Sequence, residues 1–412
     1  LEKNVDDFLL FLIFLEIEMS VVTISSSQLK SIAKRLLMVA GSLEPEASIV
    51  SANLVESNLC GHDSHGVGYL PEYIKTAQAG RLVPNQSLNV EVDSGPIIVA
   101  NAGRGYGQVM GQQAINLGIS RAKELGLCAV SLHSSHHLGR IGSYAEQCVD
   151  SGLASIHFTN VAGHHPLVAP YRGTVARLGT NPFTASFPAP QGKQPIILDM
   201  ATSQVALGKI RNAFQSGNEV PYGLIIDHNG KDSNDPSVMF PNIQRGKTTG
   251  SSTVASINES KASSSSNNNE TEIGALLSAA AHKGYGLALM CELFGGIATG
   301  GPTVAPHHIR PPCILNSMFT IIFDPIKTSG GHTSSLESLY NEVEKLELYI
   351  KSCEIRQQDD LENEGHVFPG ERANKNRIKR SNFLTLDNGT WSSLLDAASS
   401  LGIENEILDL KK

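Results

Sequence analysis

The sequence has no surplus of basic charge. Its 32 lysines and arginines stand against 40 aspartates and glutamates, a formal net charge of −8. Without a basic stripe to collect phosphates, nucleic acid and anionic membrane surfaces are poor partners. It also lacks paired cysteines: Cys60, Cys128, Cys148, Cys291, Cys313 and Cys353 lie far apart, with no C-x-x-C. That spacing fits reduced, buried thiols in a cytoplasmic protein better than a disulfide or zinc framework. The apolar run FLLFLIFL (8–15) is too short to span a bilayer. It has no basic leader either, since Glu2, Asp6 and Asp7 outnumber Lys3, so it does not read as a signal peptide. Met19-Ser20 looks like a natural start, and residues 1–18 are expected to be a spurious or disordered extension. Finally, no G-x-G-x-x-G joins a strand to a helix. GRGYGQ (103–108) comes nearest, but its third glycine is replaced. Any dinucleotide must therefore be bound without the Rossmann fingerprint.

What is present is enough for a large core. With 412 residues and 41% hydrophobic content, two or more domains are expected. Residues 19–95 read as a helical segment. SSSQLKSIAKRLLMVAG places Leu29, Ile32, Leu36 and Leu37 on one face, EPEASIVSANLVESNL follows, and Pro71 starts a third helix. Between 96 and 325, short strands (PIIVAN, LCAVSL, ASIHFTN, PIILDM) alternate with helices, as in an α/β domain. LNVEV, just before it, also reads as a strand. Residues 245–272 are Ser/Asn-rich and are expected to be a disordered insertion. Residues 326–412 turn helical again and are expected to pack on the N-terminal segment.

Four segments carry candidate chemistry. In GHDSHGVGYLPEY (61–73), His62 and His65 have a spacing that zinc sites use on helices, but flanking glycines favour a loop or a polar capping turn. SLHSSHHLGRIGSYAEQ (131–147) leaves a strand with His133, His136 and His137, then forms a Gly-Arg-Ile-Gly turn suited to an anion. A histidine there can exchange a proton near neutrality, though a surface histidine pair is the plainer alternative. PIILDMATSQVALGKIRNA puts Asp199 at a strand end, before a helix expected to be capped by Thr202 or Ser203. AHKGYGLALMCE places His282 and Lys283 at the start of an apolar helix that is otherwise core-like.

Together and in order, GHDSHGV, SSHHLGRIGSYAEQ, LGTNPF, LDMATS, HKGYGLALMCE and PGE resemble the malate/L-lactate (sulfolactate dehydrogenase-like) family over roughly residues 25–412. The likeness is nearest to its hydroxycarboxylate dehydrogenase branch. The resemblance implies a non-Rossmann α/β fold, with a mixed sheet flanked by helices and a helical domain built from both chain ends. It implies NAD- or NADP-dependent interconversion of small 2-hydroxy and 2-oxo acids by a cytoplasmic homodimer. Carried over by position, His137 is the acid/base and Asp199 orients or charge-balances it. Ser64, His65, Tyr69 and Arg140 fall at the substrate. His65, Gly139, Arg140, Ile141, Ile197, Leu198, Asp199, Met200, Ala201, His282, Lys283, Asn316, Phe368, Pro369, Gly370 and Glu371 fall in cofactor-contacting segments, and no metal is implied.

One departure concerns Tyr69, which stands where many members carry a carboxylate-binding arginine; Arg140 is the expected substitute. Two other readings stay open. One is a metal-dependent hydrolase or lyase using His62, His65, His136 and His137, and the other is a non-catalytic homologue.

Overall fold

The computed structural model describes residues 21–163, 165–190, 192–241, 273–305, 313–355 and 365–411. The expected extension at 1–18 and insertion at 245–272 lie outside the described residues. In chain order the main elements are β1 (Val21–Ser25), α1 (Ser26–Val39), α2 (Glu44–Leu59), α3 (Leu70–Gln78), β2 (Asn89–Ser94), β3 (Ile97–Asn101), α4 (Gly107–Leu125) and β4 (Leu127–Ser135). Then come α5 (Gly142–Val149), β5 (Ala154–Ala162), β6 (Phe183–Phe187), β7 (Ile196–Met200), α6 (Leu207–Ser216) and α7 (His282–Cys291). The rest are β8 (Leu315–Phe323), α8 (Leu336–Lys351), α9 (Glu371–Arg380), β9 (Phe383–Asp387), α10 (Asn388–Ser400) and α11 (Glu404–Lys411).

The body is a seven-stranded sheet in the order β2-β3-β4-β8-β5-β6-β7. Only β3 and β4 run parallel, so the sheet is mixed. Side chains alternate along β8. Met318 and Ile322 join the core beneath α4, while Phe319 meets Phe294 on the opposite face. Both faces are thus covered, and the polar side chains buried in the central strands bond one another, as His157 does with Ser155 and Thr320.

The two chain ends meet. A capping box of Ser25 and Gln28 starts α1, whose Leu29, Ile32, Leu36 and Leu37 are all fully buried. β1 pairs antiparallel with β9, and α11 reaches α1 through a Gln28 Nε2 bond to the Lys411 carbonyl at 2.9 Å. Among the described residues, no helix is long and apolar enough to cross a membrane.

Two expectations are corrected. The boundary at 95/96 cuts the β2–β3 hairpin, so the sheet begins at Asn89. The helix after Asp199 starts only at Leu207, because Thr202 and Ser203 are spent elsewhere: Thr202 Oγ1 bonds the Thr180 and Asn181 carbonyls, and Ser203 Oγ bonds that of Val205. The strands β1, β6, β8 and β9 go beyond the strands expected from the sequence, although β8 is the middle of the sheet.

Candidate active site

The loop between β4 and α5 carries His137, and its backbone is held from three sides. The Leu138 amide donates to Asn316 Oδ1 at 2.9 Å, and the Tyr144 hydroxyl lies 2.7 Å from the Leu138 carbonyl. Gly107, at the start of α4, presses directly on it: a Cβ there would sit 2.3 Å from the His137 carbonyl oxygen. Gly139 turns the loop with φ of 74°, a conformation that suits glycine. The loop is therefore a rigid mount for one side chain.

That side chain is fixed as well. Tyr73, on α3, places its hydroxyl 2.7 Å from His137 Nδ1 and accepts a bond from Gln108 Nε2 at 2.7 Å. Both partners are buried, and burial pushes the Tyr73 phenol well above its ordinary value, so it keeps its proton. A Tyr73 hydroxyl already accepting from Gln108 can donate to the neutral ring's Nδ1. Gln108 Oε1 is buried without a partner. A half-turn of that amide would let the same hydroxyl accept from a protonated ring. The His137 ring stacks on Tyr69 at 4.3 Å and on His65 at 5.6 Å.

His62 and His65 share the cavity wall with it, while His133 and His136 turn away. His65 Nδ1 meets Ser64 Oγ at 3.0 Å, and burial, with His62 adding, lowers its pKa to about 4. His136 points into the core edge-on to Tyr73, and burial lowers it to about 3. His133 bonds Ser134 and Glu91. Asp63 is spent on Asn58 and Arg380, so it braces the 62–66 turn from α9. Among the described residues, no three His, Cys, Asp or Glu side chains converge as metal ligands.

Arg140 and Asp199 occupy the far side of the loop. Asp199 accepts from the Gly142 amide and from Thr184 Oγ1, each at 2.8 Å, which caps the positive end of α5 and ties it to β6. Arg140 is buried, with its Nη2 2.5 Å from Glu146 Oε2. Glu146 in turn receives Arg377 Nη2 at 2.7 Å. The guanidinium is thus already committed to a carboxylate.

One cavity collects most of the expected residues. Ser64, His65, Tyr69, His137, Gly139, Arg140, Ile141, Asp199, Ala201 and Asn316 all line it. Ile197, Leu198 and Met200 lie on the same strand but not in the wall. The Phe368–Glu371 turn runs beside them, its Pro369 carbonyl accepting from the Ile197 amide at 3.1 Å. His282 and Lys283 are exposed at the start of α7, with His282 against the Tyr171 ring, and the structure does not bring them to the cavity. Reading the sequence missed Tyr73, Gln108, Thr159 and Arg211. Tyr73 had a visible signal, four residues after Tyr69 on a proline-started helix. Gln108 sits in GRGYGQ, the stretch set aside as a failed nucleotide fingerprint.

This arrangement can be set beside known proteins. The malate/L-lactate dehydrogenase family model matches residues 24–395. Hydroxycarboxylate dehydrogenase B of Escherichia coli O157:H7 is 36% identical over 383 residues, covering 92% of this chain and 94% of that one. A solved structure of a putative malate/lactate dehydrogenase from E. coli superposes with a TM-score of 0.81 at 34% identity, over 94% of this chain and 98% of that one. Sulfolactate dehydrogenase from Methanocaldococcus jannaschii gives 0.73 at 27%, over 94% and 99%. The chain belongs to the malate/L-lactate dehydrogenase family.

Proposed function

We propose that this protein interconverts 2-oxo and 2-hydroxy acids with NAD(H) or NADP(H), using His137 as the acid/base. The observation that carries the reading is the Gln108–Tyr73–His137 chain, which aims one histidine into the cavity and holds it through Nδ1. A general acid needs this kind of fixed ring whose second nitrogen can exchange a proton. In reduction, His137 gives its Nε2 proton to the substrate's 2-oxygen as C2 is reduced, then regains a proton from solvent. Asp199 keeps the loop and α5 in register, and His65, neutral by burial, packs beside the reacting ring.

The wall also suits a nicotinamide. Thr159 Oγ1 is buried without a partner and lines the cavity, where a carboxamide would satisfy it. Thr159, the Gly139–Ile141 turn and Ala201 are the residues we assign to hold it. When bound, the group supplies the hydride. Val161, Leu167, Pro182, Leu207 and Ile314 make much of the remaining wall apolar, which favours an oxo acid with an apolar side chain. The six cysteines form no disulfide, in keeping with a cytoplasmic setting.

A panel of pyruvate, oxaloacetate, 2-oxoglutarate, phenylpyruvate and hydroxyphenylpyruvate, offered with NADH and with NADPH to chelator-treated protein, tests this. Oxidation of one dinucleotide by at least one acid is expected. No turnover with any of them would point to the non-catalytic reading, and turnover restored only by a divalent metal would point to a metal enzyme.

The self-association implied by the family also has support. Leu289, Met290, Leu293, Phe294 and Ile297 form an exposed apolar stripe at i, i+4 spacing, with Ile297 61% exposed. Such a stripe is best covered by a second copy. Sedimentation equilibrium should give twice the chain mass, and a stable monomer at micromolar concentration would contradict it.

A further inference from the structure

We infer that Arg211, one turn into α6, is the cation that receives the substrate carboxylate. This rests on the oxo-acid reading above. Leu207, Gly208 and Arg211 share one face of α6 and all line the cavity. Gly208 lies against the histidine turn, since a Cβ there would meet Ser64 Cβ at 3.0 Å. Arg211 therefore projects from a helix end pressed onto Ser64. It also interacts electrostatically with Tyr69, the ring stacked 4.3 Å from His137. A carboxylate held there would lie on the side of the cavity where His137 can reach the adjacent 2-oxygen.

Charge accounting separates Arg211 from Arg140, the only other arginine among the described residues of the wall. Arg140 is bonded to Glu146 and also interacts with Asp199. An incoming carboxylate would meet two others there. Arg211 has partners of its own, the Tyr69 phenol and the Asp387 carboxylate among them, and it stands in the wall beside Tyr69 rather than beside Glu146 and Asp199. Burial lowers the Arg211 pKa, yet a guanidinium stays charged at neutral pH. With one such cation, the cavity favours monocarboxylic oxo acids over dicarboxylic ones.

The test compares wild type with Arg211→Met and Arg211→Lys. Loss of a charge-assisted pair should raise KM for the best oxo acid by about ten- to a hundredfold in the methionine variant, with KM for NAD(P)H changed less than about threefold. Lysine should restore part of the loss. Calorimetric titration with oxamate, a non-reacting 2-oxo carboxylate analogue, in the presence of NADH or NADPH provides a readout apart from turnover. Wild type should bind it, and Arg211→Met should bind about tenfold or more weakly. Equal oxamate binding in wild type and Arg211→Met, or none in wild type, overturns the inference. Should Arg211→Met fail to fold, Arg211→Gln takes its place and is read by the same two outcomes. If oxamate binding needs Arg211 but no oxo acid is reduced, the functional reading fails and Arg211 stands. If reduction proceeds with KM unchanged in Arg211→Met, Arg211 falls and the functional reading stands.

Discussion

Replacing His137 with alanine is expected to lower kcat for oxo-acid reduction by about two to four orders of magnitude, the range associated with a positioned general acid. Cofactor affinity should change little, because the loop's shape does not depend on the imidazole. Asn316 and Tyr144 hold the backbone of Leu138, and Gly107 packs on the His137 carbonyl rather than its ring. Tyr73→Phe is a graded version of the same experiment. It removes the hydroxyl 2.7 Å from Nδ1 but keeps the apolar ring, so a loss of about tenfold in kcat is expected, consistent with one hydrogen bond to a charged group. Stopped-flow or steady-state assays on purified variants, with NAD(P)H binding measured separately, check both. Near-wild-type kcat in His137→Ala would remove its assignment as proton donor.

The second large effect is on stability in acid. His157 is fully buried between Ser155 Oγ (2.8 Å) and Thr320 Oγ1 (2.9 Å), and burial lowers its pKa to about 4. His136 is buried with neither ring nitrogen partnered, and burial, with Arg81 adding, lowers it to about 3. Both folded values lie below the ordinary histidine value near 6.5, so between the two values the unfolded chain binds more protons than the folded one. Their contribution to stability is complete above about pH 6.5 and is lost as pH falls toward about 4. Each histidine adds a slope of up to about 1.4 kcal/mol per pH unit, so the pair approaches about 3. Urea midpoints from pH 7 to pH 4.5 should fall steeply. His136→Phe leaves no broken bond behind and should remove close to half of that pair's slope. An identical pH dependence in the variant would contradict the assignment.

How far the site was legible follows from where its contacts come from. His137 and Asp199 stood out because a strand end, a glycine turn and an ionisable residue lie together in sequence. The same local pattern suggested one histidine cluster, yet backbone geometry sends His133, His136 and His137 to a surface pair, the core and the cavity. Tyr73 and Gln108 could be assigned no role from local pattern, since the first is 64 residues from His137 and the second acts only through it. Arg211 was hidden because the sequence predicts a helix after Asp199 but not that its first turn abuts Ser64. The strand β8 escaped notice although LNSMFTIIF is rich in strand formers. Its place between β4 and β5 comes from antiparallel pairings across more than 150 residues, which no local period encodes. Arg140 looked like a free clamp for a similar reason: Glu146 follows it by six residues, and only folding turns that into an ion pair.

The most direct measurement follows a labelled hydrogen. NADH or NADPH carrying deuterium at the transferred position of nicotinamide C4 is mixed with the protein and its best 2-oxo acid, and the product is examined by mass spectrometry. The account predicts a 2-hydroxy acid one mass unit heavier, with deuterium on C2, formed by wild type and almost absent with His137→Ala. Product without the label, or labelled product formed equally by His137→Ala, would contradict it.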